Sequence, residues 1–244
     1  MARDPKSSIR VAATGDLHCR EDQHGRFRNF VKHVNEVADV LLLCGDLTDR
    51  GMPEEAKTLA EDLSALRIPC VAVFGNHDYE GGASKQICAE LAKANVHFLD
   101  GDHYVFEKTL GIAGIKGFGG GFGRATLQAF GEGPTKAFVQ EGVNESLKLE
   151  AALGQLETPK KVVMLHYSPI PDTCVGEQPE IMPFLGTSRL VYPIDHYGAA
   201  VVFHGHSHFG SREGKTPGGI RVMNVAMPLL AKTTPEQRFA LVEV

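Results

Sequence analysis

The 244-residue sequence has no tryptophan, no Cys-x-x-Cys pair, no run of lysine and arginine, and no long apolar stretch. Each absence removes a class of protein. A membrane-spanning helix needs ~18 or more consecutive apolar residues, so none is expected. The opening residues, MARDPKSS, lack the apolar core of a secretory signal, and a cytoplasmic location is therefore expected. The five cysteines (Cys19, Cys44, Cys70, Cys88 and Cys174) are odd in number and unpaired in spacing, which reads as packed thiols and not as a disulfide framework. With 25 Lys and Arg against 30 Asp and Glu, the net charge is −5, and a surface that tracks nucleic acid is disfavoured.

What is present is the composition of an ordinary globule: 43% hydrophobic residues, 23% charged, mean hydropathy −0.12. The length suits one domain over residues 1–244, with residues 1–8 as a flexible N-terminal arm. Eleven histidines are a noticeable enrichment, and histidine is the commonest metal ligand.

Five short runs rich in Val, Ile and Leu read as buried strands: Ile9–Thr14, Val40–Cys44, Cys70–Phe74, Val162–Leu165 and Ala199–Phe203. Between the first three lie two helical patterns. One has its apolar face at Phe27, Phe30, Val31, Val34 and Val37; the other, at Ala56, Leu59, Ala60, Leu63 and Leu66, starts near Pro53. That alternation favours a parallel sheet with right-handed crossovers. Residues 103–115 read as two more strands, Thr135–Leu156 as a helix, and Tyr167–Gly186 as a long loop. Ile220–Val225 and Phe239–Val242 read as the last strands.

Each of the five runs is followed by a residue able to ligate a metal. Asp16 and His18 follow the first, Asp46 the second, Asn76 the third, His166 the fourth, and His206 with His208 the fifth. Singly, a Gly-Asp is a turn and a strand-end histidine a structural ring. Jointly, they would place seven O and N donors at the carboxyl ends of strands, where ligands bind in α/β sheets. Carboxylate, carboxamide and imidazole donors without cysteine suit Mn, Fe or Zn, with Ni or Co also accommodated. Seven donors are too many for one such ion with an open position, whereas two ions sharing a carboxylate would use them.

These residues resemble the calcineurin-like metallophosphoesterases. The motifs are Asp-x-His at 16–18, Gly-Asp-x-x-Asp-Arg at 45–50, Gly-Asn-His-Asp at 75–78, the single His166, and Gly-His-x-His at 205–208. The resemblance implies an α/β fold, a four-layer αββα sandwich of two mixed β-sheets flanked by helices, with a dinuclear metal site at the C-terminal ends of strands. It implies Asp16, His18, Asp46 and His208 around one ion, and Asp46, Asn76, His166 and His206 around the other. A hydroxide bridging the ions would attack phosphorus, His77 would act as general acid, Asp49 would orient His77, and Arg50 would contact phosphate. Asp78 is open between helix cap and support for a ligand.

The expected substrate is a small anionic phosphodiester, such as a cyclic nucleotide. A phosphomonoesterase on nucleotides, small phosphates or phosphoproteins is the alternative, and a catalytically silent metal-binding scaffold a more distant one. The presence of His77 argues against the scaffold. A homo-oligomer is compatible with the sequence. The stretch GFGGGFG (117–123) is open between a flexible loop and a flap that sets Phe118 or Phe122 over the substrate; it lacks the placement of a dinucleotide fingerprint. His204 is expected to be a supporting ring and Cys19 a packed thiol.

Overall fold

A strand covered on both faces needs no polar side, so strands of this kind form where the sequence carries unbroken short apolar runs. The computed structural model, which describes residues 8–244, places strands on all five such runs. In chain order, β1 (Arg10–Thr14), α1 (Arg28–Val37), β2 (Val40–Cys44), α2 (Pro53–Leu63) and β3 (Cys70–Val73) keep the expected alternation. Then come α3 (His77–Glu80), α4 (Ser84–Ala92), β4 (Val96–Phe98), the hairpin β5 (Asp102–Phe106) and β6 (Leu110–Gly114), and the long α5 (Gly133–Gly154). The remainder is β7 (Lys160–Met164), α6 (Met182–Leu185), α7 (Val191–Tyr197), β8 (Val201–His204), β9 (Glu213–Lys215), β10 (Arg221–Asn224), α8 (Met227–Thr233) and β11 (Ala240–Glu243).

The strands divide between two mixed sheets. One has the order β11-β1-β2-β3-β4, parallel except for β11; the other has the order β5-β6-β7-β8-β10-β9, parallel except for the edge strands β5 and β9. Successive side chains of a strand point to opposite faces, and the core follows that period. Val11, Ala13, Leu42, Val71 and Val73 of the first sheet pack against Ile112, Val162, Met164, Val201 and Phe203 of the second. The intervening residues Ala12, Leu41, Leu43 and Ala72 face outward, onto Val31 and Val34 of α1, Leu59 and Leu63 of α2, and Ile87 and Leu91 of α4. On the far side Ala113, Val163 and Val202 meet Leu149, Ala152 and Leu153 of α5 and Ile194 of α7. The result is the helix–sheet–sheet–helix sandwich.

Three expectations are sharpened. The ligand-bearing strands do not share one sheet: β1, β2 and β3 lie in the first, β7 and β8 in the second. The 167–186 stretch is ordered by short turns and by α6. Residues 1–7 lie outside the described residues, and with them most of the arm expected over 1–8; the Ser8 hydroxyl donates to the Glu243 carboxylate, and the Ile9 amide to the Val244 carbonyl at 2.9 Å. Among the described residues no helix is long and apolar enough to cross a membrane.

Candidate metal centre

The loops leaving β1, β2, β3, β7 and β8 meet on the seam between the sheets, and their backbone is bent to do so. Of the eight described non-glycine residues with positive φ, four are Asp16 (56°), His18 (43°), Asp46 (49°) and His206 (70°). Left-handed backbone at a non-glycine residue costs on the order of 1 kcal/mol and persists where surrounding structure demands it. Glycine precedes the leading ligand candidate of four loops because another rim residue presses against it. A Cβ on Gly75 would overlap the Asp46 carboxylate, one on Gly205 the Asp16 carboxylate, and one on Gly45 would lie 2.5 Å from Nδ1 of His166. On Gly15 it would lie 2.9 Å from the Cys44 carbonyl.

The seven candidate ligands converge in two groups. Asp16, His18 and His208 form one, and Asp46, His166 and His206 the other; within each, one donor atom per residue lies within 4.8 Å of the rest. Asn76 joins the second through its Oδ1, 2.9 Å from Nε2 of His166. Asp46 reaches both, with Oδ1 3.4 Å from Nε2 of His166 and Oδ2 3.8 Å from Nε2 of His18. Backbone carbonyls orient two of the rings. His166 donates from Nδ1 to Cys44 at 3.0 Å, which turns Nε2 inward, and His206 donates from Nε2 to Phe184 at 3.1 Å, which leaves Nδ1 inward. A third group, His18, Asp49 and His77, lies beside the first.

The electrostatics fit bound cations. Burial lowers His18 to about 4, lowers His206, and pushes His166 well below the ordinary histidine value, so these rings are neutral and keep a lone pair at neutral pH. His208 goes the other way: burial opposes its charge, but the hydrogen bond from Nε2 to Asp16 at 2.9 Å and that carboxylate's charge raise it. Burial, then the charges of Asp16 and Asp78, push Asp46 well above the ordinary carboxylate range. A cation beside Asp46 would offset both its burial and the neighbouring carboxylate charges and let it ionise. Both ring nitrogens of His18 are buried without a hydrogen-bond partner; Nε2 faces the Asp46 carboxylate at 3.8 Å and Nδ1 that of Asp49 at 3.6 Å, which leaves one nitrogen to take an ion and the other to face a supporting carboxylate. The donors are oxygen and nitrogen only.

His77 stands over this arrangement with its ring edge-on to His18, centroids 4.6 Å apart, and its backbone N–H donating to Oδ1 of Asp46 at 2.9 Å. The expected carboxylate support from Asp49 takes a different form. Nδ1 of His77 donates to the Asp49 backbone carbonyl at 2.6 Å, while the Asp49 carboxylate lies 3.6 Å from Nδ1 of His18. The carboxylate that faces Nδ1 of His77 is that of Glu80, at 3.9 Å. Arg50 is exposed, and its backbone N–H, not its guanidinium, is anchored, to Glu55 at 2.9 Å.

Several groups outside the candidate ligand set support the site. Asp78 is fully buried and does not cap a helix. It accepts from the amides of Leu47 (3.2 Å), Thr48 (2.9 Å) and Gly75 (2.8 Å) and from the Thr48 hydroxyl (2.7 Å), so it ties the Asp46 loop to the Asn76 loop. His204 is a supporting ring, bonded to the Gly205 carbonyl and the Thr173 hydroxyl, each at 2.8 Å. The Cys19 thiol is buried and pushed up to about 12, inert as expected. The GFGGGFG stretch is no free flap. Its amides bond to the carbonyls of Pro183 and Gly186, and Phe122 packs with Cys174 and Leu185. Phe118 stays half-buried beside Tyr167, at 5.8 Å between ring centroids, and lines a cavity that reaches Asn76.

Comparison with known proteins agrees with this architecture. In solved structures the fold is similar to that of the phosphopantetheinyl hydrolase of Mycobacterium tuberculosis (TM-score 0.69, 18% identity, 95% of each chain covered). It is also similar to TT1561 of Thermus thermophilus (TM-score 0.56, 14% identity, 98% of this chain and 99% of that one). A protein of Arcobacter nitrofigilis named as a probable glycerophosphodiester phosphodiesterase is 32% identical over 76 residues, a match spanning 30% of this chain and 28% of that protein. The calcineurin-like phosphoesterase family model matches residues 9–210, which contain all five motifs and every candidate ligand. The chain belongs to the calcineurin-like phosphoesterases, a family of dinuclear metal-dependent hydrolases of phosphoester bonds.

Proposed function

We propose that this chain hydrolyses a small phosphodiester, such as a cyclic nucleotide, with Asp16, His18, Asp46 and His208 holding one transition-metal ion and Asp46, Asn76, His166 and His206 a second. The observation that carries this reading is the convergence of seven O and N donors in two adjoining groups, with both His18 nitrogens buried and unpartnered. Bound there, two ions supply positive charge to the phosphoryl oxygens and acidify the attacking water.

The chain's own residues do the rest. The Asp49 carbonyl holds the Nδ1–H of His77, so Nε2 is the nitrogen free to face substrate; from the imidazolium form it would give its proton to the departing alkoxide, leaving the neutral ring with its proton on Nδ1. The Asp46 carboxylate fixes the His77 backbone, so the acid and the metal site move together. The similarity to the Arcobacter protein supports a diester substrate. The exposed guanidinium of Arg50 supports the second reading, a monoesterase, because an extra cation suits a dianionic phosphate.

Turnover of p-nitrophenyl phosphate and of its bis-ester by Mn²⁺-loaded protein decides between them. The bis-ester should be preferred in kcat/KM; His77→Ala, which removes an acid–base group, and Asp46→Asn, which removes the carboxylate charge proposed to serve both ions, should each lower its turnover by ~10² or more. Arg50→Ala should leave the diester rate within about threefold. Preference for the monoester, lost selectively in Arg50→Ala, would replace the diesterase with the monoesterase. Absence of turnover of either ester by the wild-type protein would remove both readings.

A further inference from the structure

Beside the metal centre lies a cavity of about 310 Å³ that no motif marks. Its wall includes Asn76, Tyr79, Lys116, Phe118, Glu145 and Tyr167, so one end opens on a proposed metal ligand. Tyr167 connects the two, its ring 4.4 Å from that of His206 and 5.3 Å from that of His166, centroid to centroid. The ammonium of Lys116, whose side chain is only 12% exposed, also lines the cavity.

The groups in the cavity constrain what it accepts. The Lys116 ammonium donates to the neighbouring Gly117 carbonyl at 2.7 Å and lies 4.7 Å from the Phe118 ring centroid and 5.5 Å from that of Tyr167. Its nearest carboxylate, Glu141, is 3.9 Å away, beyond hydrogen-bond reach. Glu145 is already engaged, by the Gly117 amide at 2.7 Å and Lys148 at 2.9 Å. Lys116 therefore has N–H donors left for a ligand acceptor. A second anion would meet Glu141 and Glu145, and the other cation of the wall, Lys148, is already bonded to Asp100 and Glu145 at 2.9 Å each; an aliphatic group would leave the Lys116 donors unused. A neutral planar ring bearing carbonyl or ring-nitrogen acceptors satisfies the aromatic faces and the ammonium together. The volume sits at the lower end of small-ligand cavities, which run from ~300 to ~1,000 Å³.

We infer that the Lys116–Phe118–Tyr167 cavity is the subsite that seats the nucleobase of a nucleotide ester whose phosphate lies over the metal centre. This rests on the phosphoesterase reading for the position of the phosphate, and it assigns to Lys116 the recognition of the base and to Phe118 and Tyr167 its apolar face.

Adenosine 5′-monophosphate and ribose 5-phosphate differ only by the base, and their binding to the Mn²⁺-loaded full chain by titration calorimetry isolates it. The nucleotide should bind at least tenfold more tightly. That ratio should fall toward one in Lys116→Met and in Phe118→Leu and recover in part in Lys116→Arg. Affinity for ribose 5-phosphate, which reports an intact fold and metal centre, should stay within about threefold of wild type. A ratio near one in the wild-type protein, or a ratio unchanged in both variants, would overturn the assignment. So would equal loss of both ligands in Lys116→Met, which would put Lys116 on the phosphate. Turnover of bis-p-nitrophenyl phosphate by the same preparation reports the phosphoesterase reading independently: if turnover is absent while the ratio holds, the catalytic reading falls and the base subsite stands.

Discussion

Glycine at positions 75 and 205 is required by proximity, not by backbone angle, since neither is among the positive-φ glycines. At Gly75 the obstructing atoms are the Asp46 carboxylate and the Asp46 backbone nitrogen, and backbone does not rotate away as the end of a long side chain would. Gly75→Ala should therefore displace Asp46 from its place between the two ligand groups. The expected result is a stability loss of ~2–4 kcal/mol in urea, in the range of overpacked buried sites, together with loss of bound Mn²⁺ by metal analysis. An alanine variant with wild-type metal content would show that the rim relaxes freely. The glycines also explain why the motifs are legible in a single sequence. A residue placed to ligate sits next to a glycine that makes room for a residue of another loop, so the pair Gly-Asp, Gly-Asn or Gly-His carries both conditions.

At the scale of elements, the loops after β2 and β3 behave as one piece because Asp78 accepts four hydrogen bonds from them. Burial raises the Asp78 pKa, and those four donors work against the rise. Asp78→Ala would leave buried donors on Leu47, Thr48 and Gly75 without an acceptor, each costing ~1–3 kcal/mol. With four donors affected, urea unfolding should show a total loss of about 4 kcal/mol or more. Asp78→Asn, which retains one acceptor oxygen, should lose less. Equal stability of Asp78→Ala and wild type would mean that water replaces the carboxylate.

What was legible at this scale follows from burial. β1, β2, β3, β7 and β8 are covered on both faces over most of their length, so each carries a short unbroken apolar run. β4 and β9, three residues each, are too short to show a period, and they exist because a neighbouring strand offers them an edge. GFGGGFG looks mobile as a sequence but is held by the carbonyls of Pro183 and Gly186, contacts some sixty residues distant that no local pattern encodes. Lys116 was invisible for the same reason: a single lysine acquires meaning only from the aromatic rings that the fold brings beside it.

For the whole molecule, the buried histidines make stability depend on pH when metal is removed. His18 and His204 are each held at about 4 by burial, below the ordinary value of 6.5, and His166 and His206 are lowered as well. Unfolding restores their ordinary affinity for protons. Between pH 6.5 and about 4 the unfolded chain therefore binds more protons, and stability falls as pH falls through that window. His208, Asp46 and Asp78, which are raised, contribute in the opposite sense, three groups against the four lowered rings. In chelator, the urea midpoint should be nearly flat from pH 7 to 8 and drop between pH 6.5 and 4, more gently in His204→Gln; a flat profile throughout would show that these rings are not neutral in the fold.

The division of the ligand-bearing strands between two sheets has a mechanical meaning. Asp16 and His18 come from the first sheet and His208 from the second; Asp46 and Asn76 come from the first, His166 and His206 from the second. Each ion in the proposed arrangement would thus be a rivet driven through a seam otherwise closed by apolar packing and a few hydrogen bonds, such as that from His166 to the Cys44 carbonyl. Any force that slides one sheet over the other would pull the ligands of both ions apart, so the grip of the protein on its metals and the grip of its two halves on each other would be a single quantity measured from opposite ends.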